Sequence, residues 1–161
     1  MKSLTRSAAG LLLMVLCLPS LAGASSAPAT HEFTLDNGLK LIVREDHRAP
    51  VAVSQLWYKV GSSYETPGKT GLSHALEHMM FKGSAKLGPG ESSRILRELG
   101  AEENAFTSDD YTAYYQVLAS DRLSVAFELE ADRLASLRLP PEEFKREIEV
   151  IKEERRLRTE D

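Results

Sequence analysis

His74-Ala75-Leu76-Glu77-His78 is the stretch on which the reading of this chain turns. On a helix each residue advances about 100°, so His78 lies about 40° from His74 and Glu77 about 60° to the other side. Two imidazoles and a carboxylate therefore crowd one face, one turn apart. Leu72, Ala75, Leu76 and Met79 fall roughly opposite and are expected to bury. Two readings fit this local pattern. One is a pair of exposed histidines beside a solvated glutamate; the other is a metal-binding helix, because histidines one turn apart on one face are a ligand pair.

A second helix, opened by Pro140-Pro141-Glu142-Glu143 with proline and acid in its first turn, bears on the choice. With Phe144 at zero, Ile148 falls near +40°, Ile151 near −20°, Val150 near −120° and Leu157 near −140°, an apolar arc centred at about −50°. Glu147 at about −60° and Glu154 at about −80° occupy the middle of that arc, whereas Glu153 points about 180° away and reads as solvated. A carboxylate on a buried face needs a partner, a proton or a metal. Arg158 lies in the same arc and is one partner. The other reading is that Glu154 completes a three-ligand zinc shell with His74 and His78, with water in the fourth place. Glu147 then orients a ligand or the substrate.

The remaining elements read outward from these two helices. Phe33 to Leu35, then Asp36-Asn37-Gly38, then Leu39 to Val43 predict a β-hairpin with Asn-Gly as its turn. Val51 to Val60 is a strand, and Gly61 to Gly71 a loop leading into the histidine helix, with Ser73 near its start. Phe81 to Gly90 is a loop and Glu91 to Leu99 a helix, with Ile95 and Leu96 inward and Gly100 as the stop. Asn104 to Ala119 is strand-like, with Thr107-Ser108-Asp109-Asp110 as a turn. Asp121 is a possible cap for a helix whose apolar face is Leu123, Ala126, Phe127, Ala131, Leu134 and Leu137. The order β-β-β-α-α-β-β-α-α predicts an α+β fold, an antiparallel sheet packed against helices.

Residues 1–24 read as a secretory signal peptide. Lys2 and Arg6 precede an apolar run, Ala8 to Leu18, and Ala22-Gly23-Ala24 offers small residues for cleavage before Ser25. The alternative is a single membrane anchor, but the run is short for a bilayer, so no stable span is expected once the signal is removed. Cys17 follows the bulky Leu16, where a lipid-attachment site wants a small residue. Residues 25–30 read as a Ser/Ala/Pro linker and 31–161 as the folded region. Export to the periplasm or outside the cell follows as the expectation. Cys17 is the only cysteine, so the exported region holds no disulfide and depends on its core, a metal or a partner. The formal net charge of −4 becomes −6 without Lys2 and Arg6, which argues against nucleic acid as a partner.

Taken together, H-x-x-E-H at 74–78, Glu147-Ile-Glu-Val-Ile-Lys-Glu-Glu154, Asn104-Ala105-Phe106-Thr107-Ser108 followed by Tyr114-Tyr115, and Leu35-Asp36-Asn37-Gly38-Leu39 resemble the M16 zinc metallopeptidases, the pitrilysin or inverzincin type. The resemblance runs from about His31 to Asp161. It implies that His74, His78 and Glu154 bind Zn2+, that Glu77 is the general base, and that Glu147 assists. It also implies that Asn104, Ala105 and Phe106 form an edge strand pairing with an extended peptide substrate. Members of that family are longer and built from repeated α+β halves. The chain is thus expected to be the N-terminal portion, a truncated half-domain, working with a second half or partner subunit. Two functions follow: a zinc-dependent endopeptidase, or a non-catalytic metal-binding or assembly module that lacks its clamp. His31 and His47 show no metal spacing and read as surface residues.

Overall fold

The computed structural model describes residues 29–160. The expected signal peptide, Cys17 and the linker up to residue 28 lie outside the described residues, and the last linker position, Thr30, already belongs to a strand. The described residues divide into two compact units, one ending at Asp46 and one beginning at His47.

The first unit is the hairpin, β1 (Thr30–Thr34) paired antiparallel with β2 (Lys40–Arg44), with Phe33 opposite Leu41 and His31 opposite Val43. Its turn takes all three residues set between the expected strands, Asp36-Asn37-Gly38, rather than Asn37-Gly38 alone. A two-residue type I′ turn needs positive φ at both central positions, and among the described residues no non-glycine has it. Instead Leu35 N–H donates to the Leu39 carbonyl at 2.9 Å and Gly38 N–H to the Leu35 carbonyl at 2.8 Å. This is a type I turn closed by Gly38 at φ +83°, the three-residue hairpin with a glycine bulge. Asn37 contributes by accepting the Leu39 N–H on its side-chain oxygen at 3.0 Å.

The second unit carries β3 (Val51–Tyr58), α1 (Leu72–Met79), α2 (Glu91–Glu98), β4 (Glu102–Thr107), β5 (Thr112–Ala119), α3 (Leu123–Ser136) and α4 (Pro141–Glu160). The three strands form an antiparallel sheet in the order β3-β5-β4, so β5 is central and β4 is an edge. Side chains alternate across the pleat. The inner face of β5 presents Thr112, Tyr114, Gln116 and Leu118, all buried. Leu118 packs with Leu96 of α2, Ala101 and Ala126 of α3, and with Ala52, Leu123 and Leu129 around them. Helix α2 stops as expected at Gly100 (φ +70°), where Gly100 N–H reaches the Arg97 carbonyl and Ala101 N–H the Leu96 carbonyl. The fold is α+β with antiparallel sheets against helices, in the expected order of elements.

Four local expectations fail. Helix α3 buries only part of its expected apolar face: Ala126 is buried and Leu123 and Leu137 are half-buried, but Phe127, Ala131 and Leu134 are exposed, and Glu130 and Arg133 are buried instead. The polar side chains win that face because the sheet supplies partners for them. Arg133 Nη2 bonds Glu103 of β4 at 2.7 Å, Gln116 donates to Glu130, and the guanidinium lies 4.9 Å from the Phe81 ring centre and 5.3 Å from that of Tyr114. Asp121 does not cap α3; it sits in a 3-10 turn, Ser120–Arg122, with no side-chain cap bond. In α1, Ala75 and Met79 bury but Leu72 and Leu76 are exposed. In α4, Ile148 and Ile151 are half-buried, whereas Phe144, Val150 and Leu157 are exposed.

Candidate metal centre

Helix α1 brings the two histidines and Glu77 to the side facing α4 and β4. Its start is held from outside the helix. Gly71, at φ +91°, turns the chain, and the Glu65 carboxylate accepts the N–H of Gly71 and of Ser73 at 2.7 Å each. These are two of the amides that a helix start leaves without partners. The Ser73 N–H, first among these donors, holds the Glu65 carboxyl below the usual carboxylate range. The loop carrying Glu65 is clamped to the β4–β5 turn: Ser62 donates to Asp109 at 2.6 Å and Ser63 N–H to the Asp109 carbonyl at 2.8 Å. Gly61 is required there, since a Cβ would lie 2.3 Å from the Ser108 carbonyl oxygen.

Helix α4 lies against α1 and supplies the carboxylates. His74 Nε2 and His78 Nε2 are 3.2 Å apart. Glu154 approaches both, with Oε2 3.4 Å from His74 Nε2 and Oε1 3.7 Å from His78 Nε2. These three residues are the metal-competent group among the described residues. Ligands held about 2.0–2.1 Å from a tetrahedral zinc stand about 3.3 Å from one another; the two imidazole nitrogens at 3.2 Å match that edge, and Glu154 reaches His74 through Oε2 and His78 through Oε1. The alternative partner of Glu154, Arg158, is 3.9 Å away with its own side chain 74% exposed, a weak surface pair.

Glu147, one helical heptad before Glu154, meets the other side of the same ring. His78 Nδ1 donates to Glu147 Oε2 at 3.0 Å, and Lys82 Nζ donates to Glu147 Oε1 at 2.7 Å. The carboxylate side chain is only 12% exposed. Burial pushes it up, but the bonds and charges of Lys82 and His78 outweigh burial and leave it below the usual range. A proton on Nδ1 leaves the lone pair on Nε2, aimed at the space shared with His74 and Glu154. The donor set therefore fits zinc in charge, in geometry and in tautomer.

Glu77 is half-buried beside these ligands but belongs to another set of contacts. Its Oε2 accepts the Thr107 hydroxyl. Asn104, Ala105 and Phe106 lie on β4, whose outer edge pairs with nothing among the described residues. Asn104 and Phe106 point to the open face and Ala105 inward. Phe106 packs edge-on against Trp57 at 5.9 Å and Tyr111 at 6.0 Å between ring centres. His31 and His47 are exposed.

Three residues of the site escape sequence reasoning. Glu65 and Lys82 sit in loops, where no periodicity marks a side chain's direction. Thr107, expected in a turn, is the last residue of β4. For Thr107 a signal existed, because strand alternation continued from Glu103 and Ala105 puts it on the inner face.

Comparison with known proteins places this geometry. Residues 40–160 match the family described as Insulinase (Peptidase family M16). A zinc protease from Helicobacter pylori is 38% identical over 148 residues, which are 91% of this chain and 33% of that protein. The mitochondrial-processing peptidase subunit beta of Bos taurus is 36% identical over 126 residues, 78% of this chain and 26% of that protein. The crystal structure of a protease from Helicobacter pylori superposes with a TM-score of 0.79 at 38% identity, over 83% of this chain and 32% of that one. The chain spans about a third or less of the length of these relatives. With a family match over most of its length, a shared fold and the H-x-x-E-H helix set against the glutamates of α4, the chain belongs to the insulinase family of peptidases, M16.

Proposed function

We propose that this chain is the zinc-holding portion of a metalloendopeptidase that hydrolyses extended peptides. One observation carries the reading: His74, His78 and Glu154 converge, with closest approaches of 3.2–3.7 Å between them, while Glu77, beside them, stays outside the ligand set. Zinc held by the three residues would supply a Lewis acid for the scissile carbonyl and a water acidified toward neutrality. Glu77 would be the general base, its carboxylate accepting a proton from the attacking water and passing it to the leaving amine. Glu147 orients His78 through its Nδ1–H and draws its own charge balance from Lys82. The free edge of β4 receives the peptide as an added strand, with backbone hydrogen bonds along Asn104 to Phe106. Such pairing is tolerant of sequence and suits an endopeptidase. Among the described residues no helix is long and apolar enough to cross a membrane. Residues 1–24 support export, to the periplasm or beyond the cell, and the −6 charge of the remainder disfavours nucleic acid.

One relative named above is called a subunit, and the chain spans about a quarter of that protein and a third of the other. We therefore include in the proposal a second half or partner subunit that completes the substrate chamber.

The test compares wild type with Glu154→Gln and Glu77→Gln. About one tightly held zinc per chain in the wild type and in Glu77→Gln, with much weaker binding in Glu154→Gln, is expected. Peptide hydrolysis, alone or with a supplied partner half, should vanish in Glu77→Gln. A wild type that binds zinc and never cleaves, with or without a partner half, supports the metal-binding module instead. Unchanged hydrolysis in Glu77→Gln removes the assigned base.

A further inference from the structure

The neighbours of Glu77 on the sheet side form a short hydroxyl chain. Thr107 Oγ1 lies in hydrogen-bond contact with Glu77 Oε2. Thr112 Oγ1 is 3.3 Å from Thr107 Oγ1 and donates to the Val60 carbonyl at 2.9 Å. Thr107 and Thr112 are the terminal pair of the β4–β5 ladder, and both side chains lie on the inner face.

A hydroxyl has one proton. That of Thr112 faces two acceptors, the Val60 carbonyl at 2.9 Å and Thr107 Oγ1 at 3.3 Å, while Thr107 donates to the Glu77 carboxylate, its nearest acceptor. A hydroxyl bonded to an ionised group makes one of the stronger side-chain hydrogen bonds. Thr107 is also stiff, because its Cβ is branched and its backbone is pinned in the ladder. A free glutamate on a helix samples several rotamers, whereas this one is tied to a strand end.

We propose that Thr107 is the positioning residue of Glu77, and that it registers the carboxylate to the edge strand β4. The proposal rests on Glu77 being the base. The side-chain hydrogen bonds of Thr107 run to Glu77 and Thr112. The consequence is mechanical: the strand that receives the peptide and the group that moves the proton share one anchor, Thr107. A peptide docked on β4 is thereby docked at a set distance from the Glu77 carboxylate, although the two lie on different elements.

The experiment uses the zinc-loaded chain, with its partner half where one is needed, as wild type, Thr107→Val, Thr107→Ser and Glu77→Gln. Two readouts are taken on each: steady-state hydrolysis of an extended peptide, and the side-chain carboxyl 13C resonance of Glu77, assigned by its loss in Glu77→Gln. Thr107→Val keeps the branched shape and removes the proton. It should shift and mobilise the Glu77 resonance and lower kcat between about 10- and 100-fold, with KM and zinc content unchanged. Thr107→Ser, which keeps the hydroxyl, should restore both readouts, which a merely structural role of the threonine would not require. An unmoved Glu77 resonance in a folded Thr107→Val chain overturns the proposal. So does an unchanged kcat in an enzyme that Glu77→Gln inactivates. If Glu77→Gln leaves hydrolysis intact or no chain cleaves, the base assignment fails separately, and the resonance alone still decides whether Thr107 holds Glu77.

Discussion

Removing the carboxylate behind His78 should weaken zinc binding without removing a ligand. Glu147 accepts the Nδ1–H of His78 at 3.0 Å and balances Lys82 at 2.7 Å, in a position where it is 12% exposed. In Glu147→Ala the imidazole loses the acceptor that fixes its tautomer and ring plane. The proton is then free to move to Nε2, the atom 3.2 Å from His74 Nε2, and a protonated Nε2 cannot ligate. Lys82 meanwhile keeps its positive charge with no carboxylate between it and the metal. Outer partners of this kind are worth about 10- to 100-fold in metal affinity, or about 1.4–2.7 kcal/mol. Glu147→Gln keeps an acceptor for Nδ1–H and loses only the charge, so it should fall between wild type and alanine. The assay is competition for zinc against a chromophoric chelator at fixed pH, with far-UV circular dichroism to show that α4 is intact. Equal zinc affinity in wild type and in a folded Glu147→Ala refutes the reasoning, because His78 would then be oriented by something other than Glu147.

Two further outcomes follow from contacts that hold the site in place. Glu65→Ala removes the acceptor for the Gly71 and Ser73 amides and should cost about 1 kcal/mol at neutral pH in urea unfolding. The Glu65 carboxyl is held below its ordinary 4.5, so its contribution is present above that value and fades as pH falls through the lower folded value; the gap between wild type and Glu65→Ala should therefore close in acid. Arg133→Met leaves Glu103 and Glu130 buried without their cation, and burial already pushes Glu130 up, so a loss of about 3–5 kcal/mol is expected by the same unfolding measurement. A loss under about 1 kcal/mol would mean that the network is not a structural element.

Periodicity made the two site helices legible. In α1 the polar residues that matter share the face opposite the apolar ones, in α4 they interrupt the apolar arc, and backbone geometry alone converts those angles into a face. The same method failed on α3. There the expected face included Ala126 together with Phe127, Ala131 and Leu134, yet the helix buries the Ala126 side alone and continues it through Glu130 and Arg133, a strip centred about 100° from the other three. Angular reading weighs each side chain by its transfer from water and assumes that charge belongs outside. That assumption breaks where a partner element brings compensation, and the compensation for Arg133 comes from Glu103 on β4, 30 residues away in sequence. Lys82 and Thr107 were hidden for the same reason, each acting through a long-range contact, whereas Glu65 was hidden because it caps the helix from a loop six to eight residues away.

The spacing of Glu147 and Glu154 can now be given a physical reason. Seven residues make two turns less about 20°, so the two carboxylates lie on one line of α4, about 10.5 Å apart along its axis. His78 reaches between them, meeting Glu147 with Nδ1 at 3.0 Å and Glu154 with Nε2 at 3.7 Å. One imidazole thus spans the gap, and the heptad assigns a different task to each end of it. A spacing of three or four residues would bring both carboxylates about 5–6 Å apart on the same face, where they would compete for one nitrogen and repel each other. At seven, Glu147 can fix the tautomer while Glu154 faces His74. The same argument accounts for Lys82. It follows His78 by four residues, just past the end of α1, and so emerges near Glu147 rather than Glu154, neutralising the carboxylate that is not facing the metal-competent group.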